Sequence, residues 1–280
     1  MLSVIVPCQE DVNLVYPTLN SLFKNIPPPK DFEVLVVHGN NQPIQESVKR
    51  MPIHEYQVSF NGSAKALNFG ITKAEGDIIC TTKPGCVVAS DWLEEIRGFL
   101  QNNPSVDGVG GPVLPILDLG TKIQRLASQI FSEEQSFPNS VVVPKMGSFQ
   151  ALFHATNSAF RKKILEAIRF DESFRYDYDF DACFKMLQQG NRLVFNPKMK
   201  VKYIFPSNLR NILARYYCWG LEKATLRRRY SARTSVVGQA YPFYNAFRSL
   251  LQPGPLISTK KTLRFIQHVA YVAGLMNGYY

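Results

Sequence analysis

Apolar and polar positions along the first hundred residues predict three strand–helix units. The run Phe32–His38 is almost continuously apolar and rich in valine, which is typical of a strand buried on both faces of a parallel sheet. Shorter runs at Ser3–Pro7 and Asp77–Thr82 predict two further strands. Apolar residues at helical spacing follow the three strands, at Asn13–Asn25, Ser63–Ala74 and Asp91–Leu100. Three such units in succession predict an α/β fold with a right-handed, doubly wound parallel sheet.

The second half of the chain is less regular. Its pattern predicts strands, a loop and short helices, at Gly108–Pro115, Leu117–Ser132, Phe137–Gln150, Ala155–Ile168, Phe180–Gln189, Arg192–Asn196 and Val201–Phe205. From Pro206 onward the pattern is mainly helical, with interruptions at Gly238–Pro242 and Gln252–Pro255. We therefore expect one large domain followed by a helical extension.

Composition excludes several classes of protein. Apolar residues make up 45% of the chain and charged residues 19%, which is ordinary for a globular protein. The five cysteines lack CxxC spacing, so we expect neither a disulfide framework nor a zinc site, and this usage suits a reducing compartment. The longest clean apolar run, Val269–Met276, is far shorter than the ~20 residues of a spanning helix. We expect neither a membrane span nor a signal peptide.

The charge is concentrated in the tail. The net charge of +10 arises in residues 206–280, which contain eleven Lys and Arg and a single acid, Glu222. Residues 1–205 contain 21 residues of each sign, so their charges cancel. A basic segment of this kind predicts an anionic partner such as phospholipid, a phosphate ester or nucleic acid.

Open α/β sheets bind ligands at the carboxyl ends of their strands. The expected ligand-binding turns are therefore Pro7–Asp11, His38–Gln42 and Lys83–Cys86.

These turns and the segments around them resemble glycosyltransferase family 2, the inverting nucleotide-sugar enzymes with the GT-A fold. The segments that carry the resemblance are SVIVPCQEDVNLVYPTLNSL, FEVLVVHGNNQ, NGSAKALNFGITKAEGDII, HATNSAFRKKILEAIRFDESF and YDYDFDACFKMLQQGNRLVFNP. The resemblance covers residues 1–205 nearly continuously. It implies a GT-A-like domain over 1–205, with a mixed, mostly parallel sheet flanked by helices, followed by a basic, aromatic-rich helical extension over 206–280.

The chain departs from the family at the metal site. The family's Asp-x-Asp motif corresponds here to Lys83, Pro84 and Gly85, and its late histidine corresponds to Tyr203. No cofactor is predicted, because these positions do not favour Mg²⁺ or Mn²⁺. A lysine ammonium near a phosphate oxygen can replace part of a metal's neutralising role. Gly85 would let the backbone approach the phosphate closely. The alternative is an ordinary polar turn in a member that has lost its donor chemistry.

The resemblance also suggests a catalytic base. The family's acidic pair corresponds to Tyr178 and Asp179, and Asp181 follows two residues later. Inverting transfer needs one carboxylate to remove the proton of the acceptor hydroxyl. Asp177 adds a third nearby acid, and repulsion among the three would raise at least one pKa. The alternative is that these acids only favour the start of a helix.

Further donor-site candidates come from the predicted turns and from the helix after Gly62: Pro7, Gln9, Glu10, His38, Lys65 and Asn68. Backbone N–H groups at Asn61–Lys65 could bind phosphate, although a plain helix cap fits the same residues. Glu10 is equally explained as an exposed loop acid, His38 as a structural histidine, and Asn68 as a residue that holds a turn together.

Cations and aromatic residues alternate in the tail. We predict a membrane or acceptor surface at Trp219, Lys223, Arg227, Arg228 and Arg229. The alternative is that the aromatic residues pack onto the domain while the cations are solvated. Single-stranded nucleic acid also suits such a pattern, but no RNA-binding motif accompanies it, so nucleic acid is the least favoured partner.

The combined prediction is inverting transfer from a nucleoside diphosphate sugar to a glycan or lipid-linked acceptor, as in polysaccharide biosynthesis. We expect the reaction to be independent of metal and to take place at the cytoplasmic face of a membrane. The alternative is a catalytically inactive relative that binds a glycan, a membrane or an active partner.

Overall fold

The computed structural model describes residues 1–8, 12–24, 31–39, 46–59, 62–117, 119–134, 137–143, 153–230 and 259–278. The chain forms two compact units. The first spans Met1–Leu114 and Ser136–Tyr203, and the second spans Pro115–Gln135 and Ile204–Tyr280. The second unit thus includes residues 115–135, which the two-domain prediction places in the first part of the chain.

The described strands are β1 (Leu2–Cys8), β2 (Phe32–His38), β3 (His54–Gln57), β4 (Ile78–Thr81), β5 (Cys86–Val88), β6 (Gly108–Gly110), β7 (Val113–Pro115), β8 (Ser158–Arg161), β9 (Leu193–Phe195) and β10 (Val201–Tyr203). The described helices are α1 (Val15–Phe23), α2 (Glu46–Lys49), α3 (Ser63–Lys73), α4 (Trp92–Asn102), α5 (Lys122–Glu134), α6 (Lys162–Ile168), α7 (Tyr178–Gln188), α8 (Leu209–Tyr230) and α9 (Thr259–Asn277).

A seven-stranded sheet organises the first unit, with the strand order β3-β2-β1-β4-β8-β6-β9. Strand β8 runs antiparallel to both of its neighbours, and the other pairings are parallel. A smaller sheet has the order β5-β10-β7. The expected mixed, mostly parallel GT-A-like sheet flanked by helices is confirmed.

The centre of the large sheet is the core of the first unit. Every residue of β1 is buried, as are the last five residues of β2. Trp92, at the start of α4, is fully buried, and its indole N–H donates to Asn157 Oδ1 at 2.8 Å. The Asn157 amide in turn donates to two carbonyl groups, those of Pro112 and Met199. One side chain therefore ties α4 to the segments around β7 and β10.

The second unit is helical in the part that the structure describes, with α5, α8 and α9. Helices α8 and α9 pack at glycines: a Cβ atom at Gly274 would collide with the carbonyl of Tyr217, and one at Gly220 with that of Tyr271. The two backbones therefore approach as closely as glycine allows. The described helices include none with the length and apolar content needed to cross a bilayer. The predicted tail interruptions at 238–242 and 252–255 lie outside the described residues.

Candidate functional site

The ends of several strands meet at one edge of the large sheet. Cys8, the last residue of β1, pairs with His38, the last residue of β2. Thr81, the last residue of β4, pairs with Ser158, the first residue of the antiparallel strand β8. The turn after β4 and the turn before β8 therefore leave the sheet at the same edge. This edge is where an open α/β sheet binds its ligands.

The turn after β4 is held in place by α1 and by the residue directly before it. The amide N–H of Gly85 donates to the carbonyl of Leu14 at 3.1 Å, and the hydroxyl of Thr18 donates to the carbonyl of Lys83 at 3.3 Å. Gly85 has a φ of 85°, in the left-handed region that favours glycine. The backbone of Lys83 is thus fixed before any ligand binds.

The side chain of Lys83 lies over an aromatic ring. Its Nζ atom is 4.6 Å from the ring centroid of Tyr203, at the end of β10. A cation at this distance from the ring face is attracted by the ring's quadrupole. Lys83 and Tyr203 are separated by 120 positions, and the resemblance predicts that they replace a metal-motif aspartate and the late histidine of the family. The structure brings these two side chains into contact.

Asp179 is joined to the same edge of the sheet. Its Oδ2 atom accepts a hydrogen bond from the amide N–H of Ala155 at 2.8 Å, three residues before β8 begins. Its Oδ1 atom accepts from the N–H of Phe180 at 2.7 Å. The side chain is half-buried in the first turn of α7. Two N–H donors orient this carboxylate, and a fixed orientation is what a general base requires.

The other acids of this helix start are more deeply buried. Asp181 has no exposed surface and forms an ion pair with Lys185, one turn further along α7. Asp177 precedes the helix and is 8% exposed. Of the two predicted catalytic acids, Asp179 therefore fits the role of base better than Asp181. Burial, and then the nearby Asp179 carboxylate, raises the pKa of the Cys183 thiol, so this cysteine stays protonated and is a poor nucleophile.

The predicted donor-site residues on β1 and β2, Pro7 and His38, are buried and contact other residues of the large sheet. Pro7 pairs with Val37 in the parallel ladder and is buried. His38 is 3% exposed, with Nε2 at 2.9 Å from Glu55 Oε1 and Nδ1 at 3.1 Å from the carbonyl of Gly39. Both ring nitrogens of His38 thus have protein partners, which favours the structural interpretation. The predicted residues Gln9 and Glu10 lie outside the described residues.

The predicted residues on α3 differ in exposure. Asn68 is 3% exposed and makes three hydrogen bonds to the segment after α6: two with the backbone of Phe170 and one with the Glu172 carboxylate. These hydrogen bonds favour the interpretation that Asn68 holds a turn together. Lys65 is exposed in the first turn of α3, and Gly62 before it has a φ of 106°. The start of α3 therefore presents a cation to solvent, and its first turn has no side-chain cap.

A cavity of about 570 Å³ runs along α4 in the same unit. Its lining includes Asn196, which directly follows β9, and β9 ends at the same edge of the sheet as β4 and β6. The lining contains Asp91, Glu94 and Glu95, several carboxamides and a single cation, Lys198. Its carboxylates would repel a diphosphate, so the turn at Lys83 is the better donor site. Among the described residues, no group of three or more His, Cys, Asp or Glu is placed to bind a metal ion.

The predicted membrane or acceptor residues lie on α8, in the second unit. Arg228 and Arg229 are exposed, whereas Trp219, Lys223 and Arg227 are half-buried. The Trp219 ring packs edge-on against Tyr216, with centroids 5.2 Å apart. The aromatic part of this surface thus packs within its own unit, while the two arginines at the end of α8 face solvent.

Sequence reasoning missed two features of the edge. The Ala155 amide that orients Asp179 is a backbone group, for which no residue type is diagnostic. Thr82, between β4 and Lys83, has a fully buried hydroxyl for which the described residues provide no partner. Its position directly before the Lys83 turn is the one signal that could have suggested it.

The fold is that of the GT-A class. Residues 3–169 match the family described as "Glycosyl transferase family 2". This match covers more than half of the chain, so the protein belongs to glycosyl transferase family 2.

Individual relatives are distant. The chain is 22% identical over 242 residues to a dolichyl N-acetyl-alpha-D-glucosaminyl phosphate 3-beta-D-2,3-diacetamido-2,3-dideoxy-beta-D-glucuronosyltransferase of Methanococcus voltae, covering 81% of this chain and 74% of that protein. Among solved structures, it resembles the mannosyltransferase PcManGT from Pyrobaculum calidifontis in complex with GDP-Man and Mn²⁺, with a TM-score of 0.63, 17% identity and coverage of 99% and 86% of the two chains. It also resembles S. aureus TarS 1–349 in complex with UDP-GlcNAc, with a TM-score of 0.59, 16% identity and coverage of 99% and 89%. These structures support the fold.

Proposed function

We propose that this protein transfers a sugar, with inversion, from a nucleoside diphosphate sugar to a glycan or lipid-linked acceptor without a divalent cation. The observation that supports this most directly is the Lys83 ammonium over Tyr203 at the edge of the sheet that also carries Asp179. A group that neutralises the leaving diphosphate and a carboxylate that accepts the hydroxyl proton are the two requirements of such a reaction.

The described residues of the Lys83 turn do not suit a divalent metal ion. The mannosyltransferase relative was solved with Mn²⁺. Here the turn consists of Lys83, Pro84 and Gly85, and the facing side chain is a tyrosine. An ammonium group repels a divalent cation, and these side chains supply no carboxylate ligand of the kind that Mg²⁺ and Mn²⁺ prefer. We therefore assign the neutralising role to Lys83.

The chemistry assigned to this chain's own residues follows from their positions. Lys83 binds the diphosphate oxygens, and the rigid turn at Gly85 holds its backbone in place. The start of α3, with Lys65, offers further N–H donors and a charge for phosphate. Asp179 takes the proton from the acceptor hydroxyl as that oxygen attacks the anomeric carbon and the nucleoside diphosphate leaves from the opposite face.

The acceptor is proposed to be presented at an anionic membrane surface. The Methanococcus relative is named for a dolichyl-linked acceptor. The tail of this chain carries the whole net charge of +10, and Arg228 and Arg229 at the end of α8 are exposed. Anionic lipid attracts such basic segments.

A thermal-shift panel of nucleoside diphosphates and their sugars, run in chelator, tests donor binding. A ligand that binds the folded state at 100 times its Kd stabilises that state by about 2.7 kcal/mol. We expect UDP, GDP or one of their sugars to raise the Tm by several degrees, and the matching nucleoside to raise it less because it lacks the diphosphate. An unchanged Tm across the whole panel would favour the catalytically inactive relative.

A further inference from the structure

Helix α9 (Thr259–Asn277) buries Leu263 and Leu275 but carries most of its other apolar side chains on the outside. Val269 is 45% exposed and Met276 50% exposed, whereas Arg264 is 6% exposed and Gln267 1% exposed. Surface helices ordinarily bury the apolar face and expose the polar one. At helical spacing, the exposed and half-exposed apolar residues fall on one side, which we call the outward face: Phe265, Ile266, Val269, Val272, Ala273 and Met276.

The inner side of α9 is fixed by contacts that this outward face could not make. Gly274 faces the carbonyl of Tyr217 on α8 so closely that any Cβ would collide with it. Arg264 and Lys260 both bind the carboxylate of Glu133 on α5. Although burial opposes it, these two cations hold the pKa of Glu133 below its usual range. Rotating α9 to bury the outward face would therefore break the ion pairs and place bulky side chains where only glycine fits.

Cations flank both ends of the outward face. Lys261 is half-exposed in the first turn of α9. At the other end, Arg228 of α8 donates a hydrogen bond to the carbonyl of Gly278, directly after α9. Residues 206–280 contain eleven cationic residues and one acid. A second copy of this unit would bring the same positive charge to the contact, whereas an anionic lipid surface complements it.

We propose that the outward face of α9 is the membrane-binding surface, and that α9 lies in the plane of an anionic bilayer with Phe265, Ile266, Val269, Val272, Ala273 and Met276 in contact with acyl chains. A basic helix with one apolar face binds at the bilayer interface in this way. The biological role of this membrane contact rests on the proposed function, because the enzyme would bind a lipid-linked acceptor at the membrane surface. It names the residues that make the contact, and these are not the α8 aromatic residues that the sequence suggested.

The test is sedimentation of the full chain with vesicles of phosphatidylcholine, with or without 30 mol% phosphatidylglycerol. The test variant is the double substitution Val269→Asp and Met276→Asp. The matched control is Val141→Asp with Val143→Asp, because these valines of the first unit are 53% and 52% exposed and the control adds the same charge. We expect the wild type and the control to bind the anionic vesicles, and the test variant to bind at least tenfold more weakly.

Three results would overturn the proposal: vesicle binding by the test variant at the wild-type level, an equal loss in both double variants, or no wild-type binding to anionic vesicles. Sedimentation velocity without lipid tests whether a second copy of this chain covers the outward face. A wild-type dimer that the test variant dissociates would be a fourth contrary result, because the outward face would then be a protein interface. The Tm shift with a nucleoside diphosphate is measured on the same proteins. A shift retained by the test variant, together with lost vesicle binding, separates failure of the membrane surface from failure of the donor site.

Discussion

Replacing Asp179 by asparagine should lower the rate of sugar transfer by about 10²- to 10⁴-fold, the usual contribution of a general base. The carboxamide oxygen of asparagine can still accept the hydrogen bond from Ala155, so the start of α7 keeps its attachment to the turn before β8. What is lost is the ability to accept a proton. The measurement is the initial rate of nucleoside diphosphate release with donor and acceptor present. Donor affinity should change by less than about threefold.

Asp181→Asn is the control for this prediction. Asp181 is buried and paired with Lys185, so its replacement should lower the Tm, because the lysine loses its charged partner. The rate per folded molecule should stay within about threefold of the wild type. Full activity in Asp179→Asn, or an equal loss of rate in Asp181→Asn, would show that the base has been assigned to the wrong residue.

Replacing Lys83 by methionine should weaken nucleoside diphosphate binding by about 10²- to 10³-fold. An ammonium ~4 Å from a phosphate oxygen contributes about 4 kcal/mol at an effective dielectric constant near 20, and each 1.36 kcal/mol is a factor of ten. Methionine keeps an unbranched apolar chain that can pack on Tyr203, so the change removes mainly the charge. The measurement is titration calorimetry with UDP or GDP in chelator.

Lys73→Met provides a matched control for Lys83→Met. Lys73 also lies near an aromatic ring, with its Nζ 5.7 Å from the centroid of Phe69, but it stands in the last turn of α3. Its replacement removes the same charge and a similar cation–ring contact away from the Lys83 turn. Donor affinity should be unchanged within about twofold. An equal loss in both variants would mean that the overall charge of the protein, and not a contact at Lys83, governs binding.

The main strands of the large sheet could be predicted because each is marked by a continuous apolar run in its own sequence. Phe32–His38 is apolar at nearly every position, and all but its first two residues are buried. Two strands were missed for the opposite reason. The side chains of His54–Gln57 are mostly exposed, so no apolar pattern marks that strand. Cys86–Val88 is three residues long and exists because it pairs with Val201–Tyr203, more than a hundred residues later.

The roles of the candidate site residues depended on partners that the sequence does not bring together. His38 was a donor-site candidate, but Glu55 on the neighbouring strand binds its ring. Asn68 is held by the backbone of Phe170, 102 positions away. Lys83 could be predicted as a site residue because it falls where the resemblance places the family's Asp-x-Asp motif. Its contact with Tyr203 follows from strand pairing in the small sheet, where Tyr203 lies opposite Cys86.

The tail shows how periodicity predicts a helix without predicting which face is buried. The pattern from Pro206 onward predicted a mainly helical tail, and the structure has helix α9 at Thr259–Asn277. The direction of its apolar face is set by Gly274 in α9, which meets the backbone of Tyr217 and Leu221, and by Gly278 directly after α9, which meets the backbone of Leu221. Such a contact depends on the partner helix as much as on α9 itself.

The transfer rate of the wild type in chelator, compared with the rate after addition of excess Mn²⁺ or Mg²⁺, tests the role of Lys83 most directly. The donor is the nucleotide sugar that gives the largest Tm shift in the panel, and released nucleoside diphosphate is the product measured. We expect the two rates to agree within about twofold. A rate that disappears in chelator and returns with the metal would contradict the assignment of Lys83 as the group that neutralises the diphosphate.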